Sequence, residues 1–395
     1  MEPEGIIIIG ASAAGVSAAR EIRAVDQAVP VNILTEERHL PYYRPSLTEY
    51  IGDSKIEARS NFFLNPEAWY RDKNVGLKLG TKVVQIDPAG KTVKTAAGEQ
   101  FSFGKLILAN GSTPFIPFKD AAGKKNVFSI RTLDDARAAN ELSGKIKTAV
   151  VIGGGLLGLE AAYSLIGKGV KVTVIEGSDR ILPRQLDPDS SLIVQDIVTG
   201  AGVSLVLGRP IESIQGAGSA TGVKLADGEI IPAEMVVISI GVRPNSEIAK
   251  SCGITVNRAL VVNERMETSL PGIYACGDVA EFNGKCVSLW MAAMKQGKVA
   301  GSNAAGKPAQ FLDEVYPVIL NSFGTRIYSA GDICQDKKEG ECRVHATGDI
   351  VKNHHKRLFF INDRLAGFIL IGDISDAQKL AMAVKNGSAF GDIVK

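Results

Sequence analysis

IIIIGASAAGVSAAREIRAVDQAVPVNILTEE, residues 6–37, decides the fold. Ile6–Ile9 is apolar at every position, which suits a strand covered on both faces of a parallel sheet rather than one with a wet side. The run stops at Gly10, and from Gly15 to about Val25 the spacing predicts a helix. Val31–Leu34 is a second apolar run, closed by Thr35-Glu36-Glu37. Strand, glycine turn, helix and strand make one βαβ unit.

The same pattern returns at residues 148–176, TAVVIGGGLLGLEAAYSLIGKGVKVTVIE, with a strand, a helix over 156–168, and a strand over 171–175 closed by Glu176. A unit repeated at this distance indicates two nucleotide-binding folds rather than one large one. The turns are Gly10-Ala11-Ser12-Ala13-Ala14-Gly15 and Gly153-Gly154-Gly155-Leu156-Leu157-Gly158. The first glycine allows the tight turn, the middle position lets the backbone approach a pyrophosphate, and the last lets helix and strand pack closely. Ser12 replaces the middle glycine in the first copy and is small enough to serve. Each helix N-terminus then offers free N–H groups and a favourable dipole to the phosphates. An acid about 20 residues on completes the fingerprint. That acid is Glu36 or Glu37 in the first copy and Glu176 in the second. A carboxylate there accepts from a free ribose 2′-hydroxyl and repels a 2′-phosphate, and Arg180 is the only nearby base, so the second site is expected to prefer NADH to NADPH.

Between and after the copies lie strand candidates over 81–87, 92–95, 105–109, 203–207, 222–225 and 235–240, punctuated by prolines. A third region from about residue 310 holds two strand-like runs around 358–372 and a helix-like stretch from Asp376 to Gly387, a small α+β unit. The fold class expected is therefore α/β: two Rossmann-like three-layer nucleotide-binding domains plus a small α+β C-terminal domain.

Composition narrows the function classes. The chain has 395 residues, 45% hydrophobic and 22% charged, with a formal net charge of +2, so no polyanion such as nucleic acid is indicated as a partner. No apolar run reaches the about 18 residues that cross a bilayer, and Ile6–Ile9 is too short for a signal-peptide core. No membrane association and a cytoplasmic location are expected. Cys252, Cys276, Cys286, Cys334 and Cys342 form no CxxC pair and no close metal-ligand cluster, and reduced thiols are expected. None of His39, His345, His354 and His355 is read as a catalytic base; His39 is read as a surface residue leading into the following PYYRP segment.

With these motifs in place, the chain resembles the FAD/NAD-linked pyridine nucleotide-disulfide oxidoreductase superfamily over nearly its whole length. Leu106-Ile-Leu-Ala109-Asn110-Gly111-Ser112 resembles that family's ATG motif, with Asn110 in place of Thr; residues 237–245, containing Gly241 and ending GVRPN, resemble the segment returning from the NAD half. Pro271-Gly-Ile-Tyr-Ala-Cys-Gly-Asp278 resembles the second flavin motif. The resemblance implies FAD bound by Gly10, Ser12, Ala14, Gly15, Glu36, Glu37, Arg44, Val83, Ala109, Gly111, Arg131, Asp278, Ser288 and Leu289. It implies NADH bound by Gly153, Gly155, Leu156, Leu157, Gly158, Glu176 and Gly241. The implied division is residues 1–112 with 246–308 for FAD, 113–245 for NAD and 309–395 for the C-terminal domain.

Disulfide reductases of this superfamily carry reactive cysteines near residues 40–50, whereas this chain reads Leu40-Pro-Tyr-Tyr-Arg44-Pro-Ser-Leu-Thr-Glu49. That stretch resembles the PYxRPxL motif of rubredoxin and ferredoxin reductases, with Glu49 where many members have Lys. The resemblance implies an NADH-dependent flavoenzyme without a thiol relay, passing electrons to a small carrier such as rubredoxin; a homodimer is compatible. The alternatives are an NADH oxidase reducing oxygen and a redox-sensing FAD/NADH-binding interaction protein. Trp290, Met291 and Met294 are read as helix core. The basic run Lys352–Arg357, with Arg343, is read as a solvated edge before a carrier-docking patch.

Overall fold

In the computed structural model, residues 5–338, 340–349 and 354–394 are described. The first βαβ unit forms as its spacing predicts: strand Ile6–Ile9, helix Ala13–Val25 and strand Val31–Leu34, with Ile9 opposite Leu34 in parallel register. The helix begins two residues earlier than expected, because Ser12 already has extended backbone and Ala13 takes the first helical position. This unit lies in a parallel sheet whose strand order across the sheet is Ile273–Ala275, Lys105–Leu108, Ile6–Ile9, Val31–Leu34 and Val75–Lys78. The chain thus leaves the sheet after residue 108 and supplies its outermost strand only on returning at 273.

The second unit, strand Thr148–Ile152, helix Leu156–Ile166 and strand Lys171–Glu176, occupies its own parallel sheet with Val127–Phe128, Ser204–Leu207 and Met235–Ile238. Here Ile152 pairs with Ile175, and Gly153 N–H donates to the Ile175 carbonyl at 2.8 Å, just as Gly10 N–H donates to Leu34 at 2.8 Å. Isoleucine and valine fill both strands because both faces are covered, and Ile8, Val150 and Val151 are fully buried.

The two connections between these halves pair with each other. Ser112–Pro114 and Val242–Pro244 form an antiparallel ladder, and Asn110 and Asn245 each donate a side-chain amide to the other's backbone carbonyl at 2.8 Å. Asn110, the departure from the resembled motif, is therefore half of a reciprocal clasp.

Helix Trp290–Ala304 crosses helix Ala13–Val25 at backbone contact. A Cβ on Gly297 would stand 2.1 Å from the Ala14 carbonyl oxygen, and one on Gly301 2.5 Å from that of Ala18. Strands Val318–Ser322, Thr325–Gly331, Arg343–Asp349, His354–Ile361 and Arg364–Gly372 build a five-stranded antiparallel sheet carrying helix Ala377–Asn386, which ends at Gly387 in left-handed conformation (φ 57°). The two expected strands around 358–372 are His354–Ile361 and Arg364–Gly372.

One expectation is overturned here. Cys334 and Cys342 are bonded, with a Cα–Cα separation of 6.2 Å, while Cys252, Cys276 and Cys286 are free. An eight-residue sequence gap carries no spacing signature. Both cysteines lie in the connection between strands Thr325–Gly331 and Arg343–Asp349, close enough there to be bridged. Among the described residues no helix is long and apolar enough to cross a membrane.

Candidate functional site

Both glycine turns are shaped by what a side chain would hit. Gly10 has φ 104°, and a Cβ on it would lie 2.2 Å from the Ala109 carbonyl oxygen; a Cβ on Gly15 would lie 2.0 Å from the Gly10 carbonyl. The second copy repeats this: Gly153 has φ 113° with a Cβ 2.2 Å from the Ser239 carbonyl, and Gly158 would meet the Gly153 carbonyl at 1.9 Å. Only glycine fits these four positions. Gly155 is different, because its Cβ would enter open space. The backbone there is bare toward open space, which is what a pyrophosphate needs for close approach.

Around the first turn five separate segments converge. Arg44 donates to Ser12 Oγ at 3.4 Å, pairs with Glu37 at 2.6 Å and donates to the Arg131 carbonyl. Tyr42 donates its hydroxyl to the other Glu37 oxygen at 2.5 Å and accepts from the Leu133 N–H. Arg131 in turn reaches Asp278 at 3.2 Å, and Ser112 Oγ donates to the same Asp278 oxygen at 2.6 Å. Gly111, at φ 64°, leaves room for the Arg131 guanidinium.

Burial and the neighbouring Arg44 charge pull the Arg131 pKa down against the pull of Asp278. Burial also opposes the charge on Arg44, but Tyr42 and Glu37 outweigh it and raise its pKa. Two partly desolvated cations beside a glycine turn and an uncapped helix N-terminus suit a dianionic pyrophosphate, which would relieve their repulsion. On this observation the residues present could hold FAD.

The remaining expected residues fall as follows. Ala14 is buried in the turn, Ala109 is buried after strand Lys105–Leu108 with its carbonyl facing Gly10, and Val83 is buried at the start of strand Val83–Asp87. Glu36 lies on the surface, paired with Lys82 at 2.9 Å, so of the two acids it is Glu37 that belongs to the cluster. Ser288 is exposed, and Leu289 immediately precedes helix Trp290–Ala304, whose first turn no side chain caps. Trp290 and Met294 pack on the core as expected, with Trp290 edge-on to Tyr43 at 5.0 Å, but Met291 is exposed.

On the second turn, Glu176 accepts from Gly154 N–H at 2.7 Å and from Ser178 N–H at 2.9 Å, so its carboxylate also braces the loop. Leu156 and Leu157 open the helix, Leu157 with its side chain exposed, and Gly241 has φ 106° in open space. Arg180 is paired with Asp179 at 2.9 Å, which offsets the charge a 2′-phosphate would seek. These residues could hold NADH.

Sequence reasoning missed Glu160, on helix Leu156–Ile166. It accepts from Thr48 Oγ1 at 2.7 Å, linking the second fingerprint helix to the segment after Arg44. Burial pushes its carboxyl up to about 7, with the nearby Glu49 adding to the rise and the Thr48 bond opposing it. A single acid among the apolar residues LLGLEAAYSLI was the available signal. His39, read as a surface residue, pairs with Asp134 at 2.7 Å.

Cys276, in the second flavin motif, is fully buried, and burial pushes its thiol up to about 12; burial also raises Cys252 and Cys286. A protonated thiol is a poor nucleophile, so none of the free cysteines is primed to relay electrons. The described basic side chains of the run are committed internally: Lys356 pairs with Asp376, Arg357 with Asp187 and Asp189 at 2.7 and 2.8 Å, and Arg343 covers the Phe390 ring. Lys352 and Asn353 lie outside the described residues.

The sequence pattern of the pyridine nucleotide-disulphide oxidoreductase family matches residues 4–297. The chain belongs to this family. Residues 317–388 match the rubredoxin NAD+ reductase C-terminal domain. The chain is 32% identical to an NADH-rubredoxin oxidoreductase of Clostridium acetobutylicum over 397 residues, covering 100% of this chain and 97% of that one. The crystal structure of NADH:rubredoxin oxidoreductase from Clostridium acetobutylicum superposes with a TM-score of 0.81 at 30% identity, covering 100% and 98% of the two chains. The chain is also 34% identical to the assimilatory nitrate reductase electron transfer subunit of Bacillus subtilis, covering 96% of this chain but 49% of that protein. The chain thus spans about half the length of some of the relatives it matches.

Proposed function

We propose that this chain takes a hydride from NADH onto FAD and passes the electrons to a small electron-carrier protein of the rubredoxin type. The observation that carries the reading is the pair of sterically matched glycine turns, one beside the Arg44–Arg131 cluster, with no cysteine between residues 40 and 50. Bound FAD supplies the conversion from two-electron to one-electron chemistry.

The chain's own part is positioning. Gly10, Ser12, Ala14, Gly15, Ala109 and Gly111 shape the FAD turn; Arg44, Arg131 and Glu37 meet its pyrophosphate and ribose side; Val83 borders the adenine, Asp278 the ribityl chain, and Ser288 and Leu289 the ring. Glu36 is assigned only to the outer edge. Gly153, Gly155, Leu156, Leu157, Gly158, Glu176 and Gly241 receive NADH. We divide the chain into a FAD domain of residues 1–112 and 246–308, an NAD domain of 113–245 and a C-terminal domain of 309–395, and place the protein in the cytoplasm, where NADH is made.

Anaerobic NADH oxidation by the flavin-loaded protein, with rubredoxin, ferredoxin and an artificial dye as acceptors, tests this. Rubredoxin is expected to reoxidise the flavin fastest. Faster reoxidation by air in a parallel aerobic trace would instead make the protein an NADH oxidase. Very slow turnover with every acceptor would point to a redox-sensing interaction protein.

A further inference from the structure

The loop between Glu176 and the helix Pro188–Gly200 lies directly on the second glycine turn. Leu182 N–H donates to the Gly154 carbonyl at 2.9 Å, and Leu182 holds a left-handed backbone (φ 49°) although it is fully buried. A non-glycine residue persists in that conformation only where its surroundings over-determine it. Part of the restraint is local: Leu186 N–H donates to the Leu182 carbonyl at 2.9 Å, and Ser191 Oγ donates to the Ile181 carbonyl at 2.8 Å.

The rest comes from the C-terminal domain. Gln335 Nε2 donates to the carbonyls of Pro183 at 2.6 Å and Leu186 at 3.0 Å. Arg357 pairs at 2.7 Å with Asp187, the residue that caps the following helix by accepting from Ser190 N–H. Asp187 is buried and Arg357 largely so, with side chains 9% and 14% exposed. Gln335 itself directly follows Cys334, which is bonded to Cys342.

We propose that Gln335 and Arg357 are positioning residues for NADH: the C-terminal domain clamps residues 180–187 against the glycine turn, and the Cys334–Cys342 disulfide holds Gln335 in place. This rests on the assignment of the second turn to NADH. The clamp touches neither ring nor phosphate. It fixes the loop carrying the Gly154 contact, and so acts on affinity rather than on the rate at saturation. A dithiol opens it by thiol–disulfide exchange: two electrons and two protons pass to Cys334 and Cys342, giving two thiols, and the dithiol closes to its own disulfide.

The test uses Gln335→Glu, which keeps the shape and removes the donor, in the flavin-loaded protein. KM for NADH is expected to rise about tenfold with kcat at saturating NADH unchanged, the loss of hydrogen bonds to two carbonyls. Amide hydrogen exchange at residues 182–186 is expected to quicken, a readout independent of turnover. Dithiothreitol should shift wild type the same way, reversibly, and leave the Cys334→Ser/Cys342→Ser protein unmoved.

Lys356→Ala is the control, since its partner Asp376 lies within the C-terminal domain. Unchanged KM and exchange in Gln335→Glu, or an equal rise in KM in Lys356→Ala, overturns the clamp. Failure of the wild-type protein to bind NADH would instead overturn the assignment of the second turn, and exchange at 182–186 would still decide whether the clamp exists.

Discussion

At the scale of single residues, the glycines of the second turn separate fold from function. Gly155→Ala places a Cβ in open space at a backbone angle alanine tolerates, so stability should hold or rise by about 0.4–1 kcal/mol. NADH affinity should nevertheless fall at least about tenfold, because the backbone is then no longer bare toward the pyrophosphate. Gly153→Ala puts a side chain at φ 113°, 2.2 Å from a carbonyl oxygen, and should cost more than about 2 kcal/mol of stability. Thermal unfolding together with NADH titration of both proteins checks the pair. Equal affinity in wild type and Gly155→Ala would remove the pyrophosphate from this turn.

Glu160 gives a pH prediction with a definite sign. Its carboxyl, raised from 4.5 to about 7, binds a proton more tightly in the folded state than in the unfolded chain. Its contribution is therefore fully present below about pH 4.5 and is lost as pH rises through about 7. Glu160→Gln keeps an acceptor for Thr48 without the charge. It should be more stable than wild type by on the order of 2 kcal/mol at pH 8, after discounting for partial exposure, and nearly equal at pH 4. Denaturant unfolding at the two pH values reads the difference.

At the scale of elements, the crossing of helices Ala13–Val25 and Trp290–Ala304 fixes where the first glycine turn sits. Gly297→Ala sets a Cβ 2.1 Å from the Ala14 carbonyl, an overpacking of about 1–3 kcal/mol. Since Ala14 belongs to the turn, flavin retention should suffer before the fold does, and the ratio of flavin to protein after gel filtration measures it. A protein that keeps one flavin per chain would show that another contact sets the crossing.

The elements themselves were largely readable. Ile6–Ile9 and Thr148–Ile152 announce buried parallel strands because period and glycine punctuation are local properties. The Arg44, Arg131 and Asp278 cluster was readable only through family resemblance, since its members are 87 and 147 residues apart and nothing local joins them. The Asn110–Asn245 clasp and the Thr48–Glu160 bond were invisible for the same reason, since each is made by topology bringing distant chain together, whereas the Cys334–Cys342 bridge is local but its eight-residue spacing carries no signature.

At the scale of the whole molecule, charge bears on how an acceptor arrives. A strongly basic face would speed association with an acidic carrier by about 10–10³-fold and make it steeply dependent on salt. The net charge here is only +2, and the densest described basic side chains, Lys356 and Arg357, are committed to Asp376, Asp187 and Asp189. Opposite charges so close to each other cancel beyond a Debye length of about 10 Å at 0.1 M salt. Association should then rest on contact rather than steering. The second-order rate constant for carrier reduction is expected to fall less than about threefold between 0.05 and 0.5 M salt. Anaerobic stopped-flow mixing of reduced enzyme with rubredoxin across that range measures it. A decline of tenfold or more would require a basic docking face elsewhere on the molecule and would overturn the contact-driven reading.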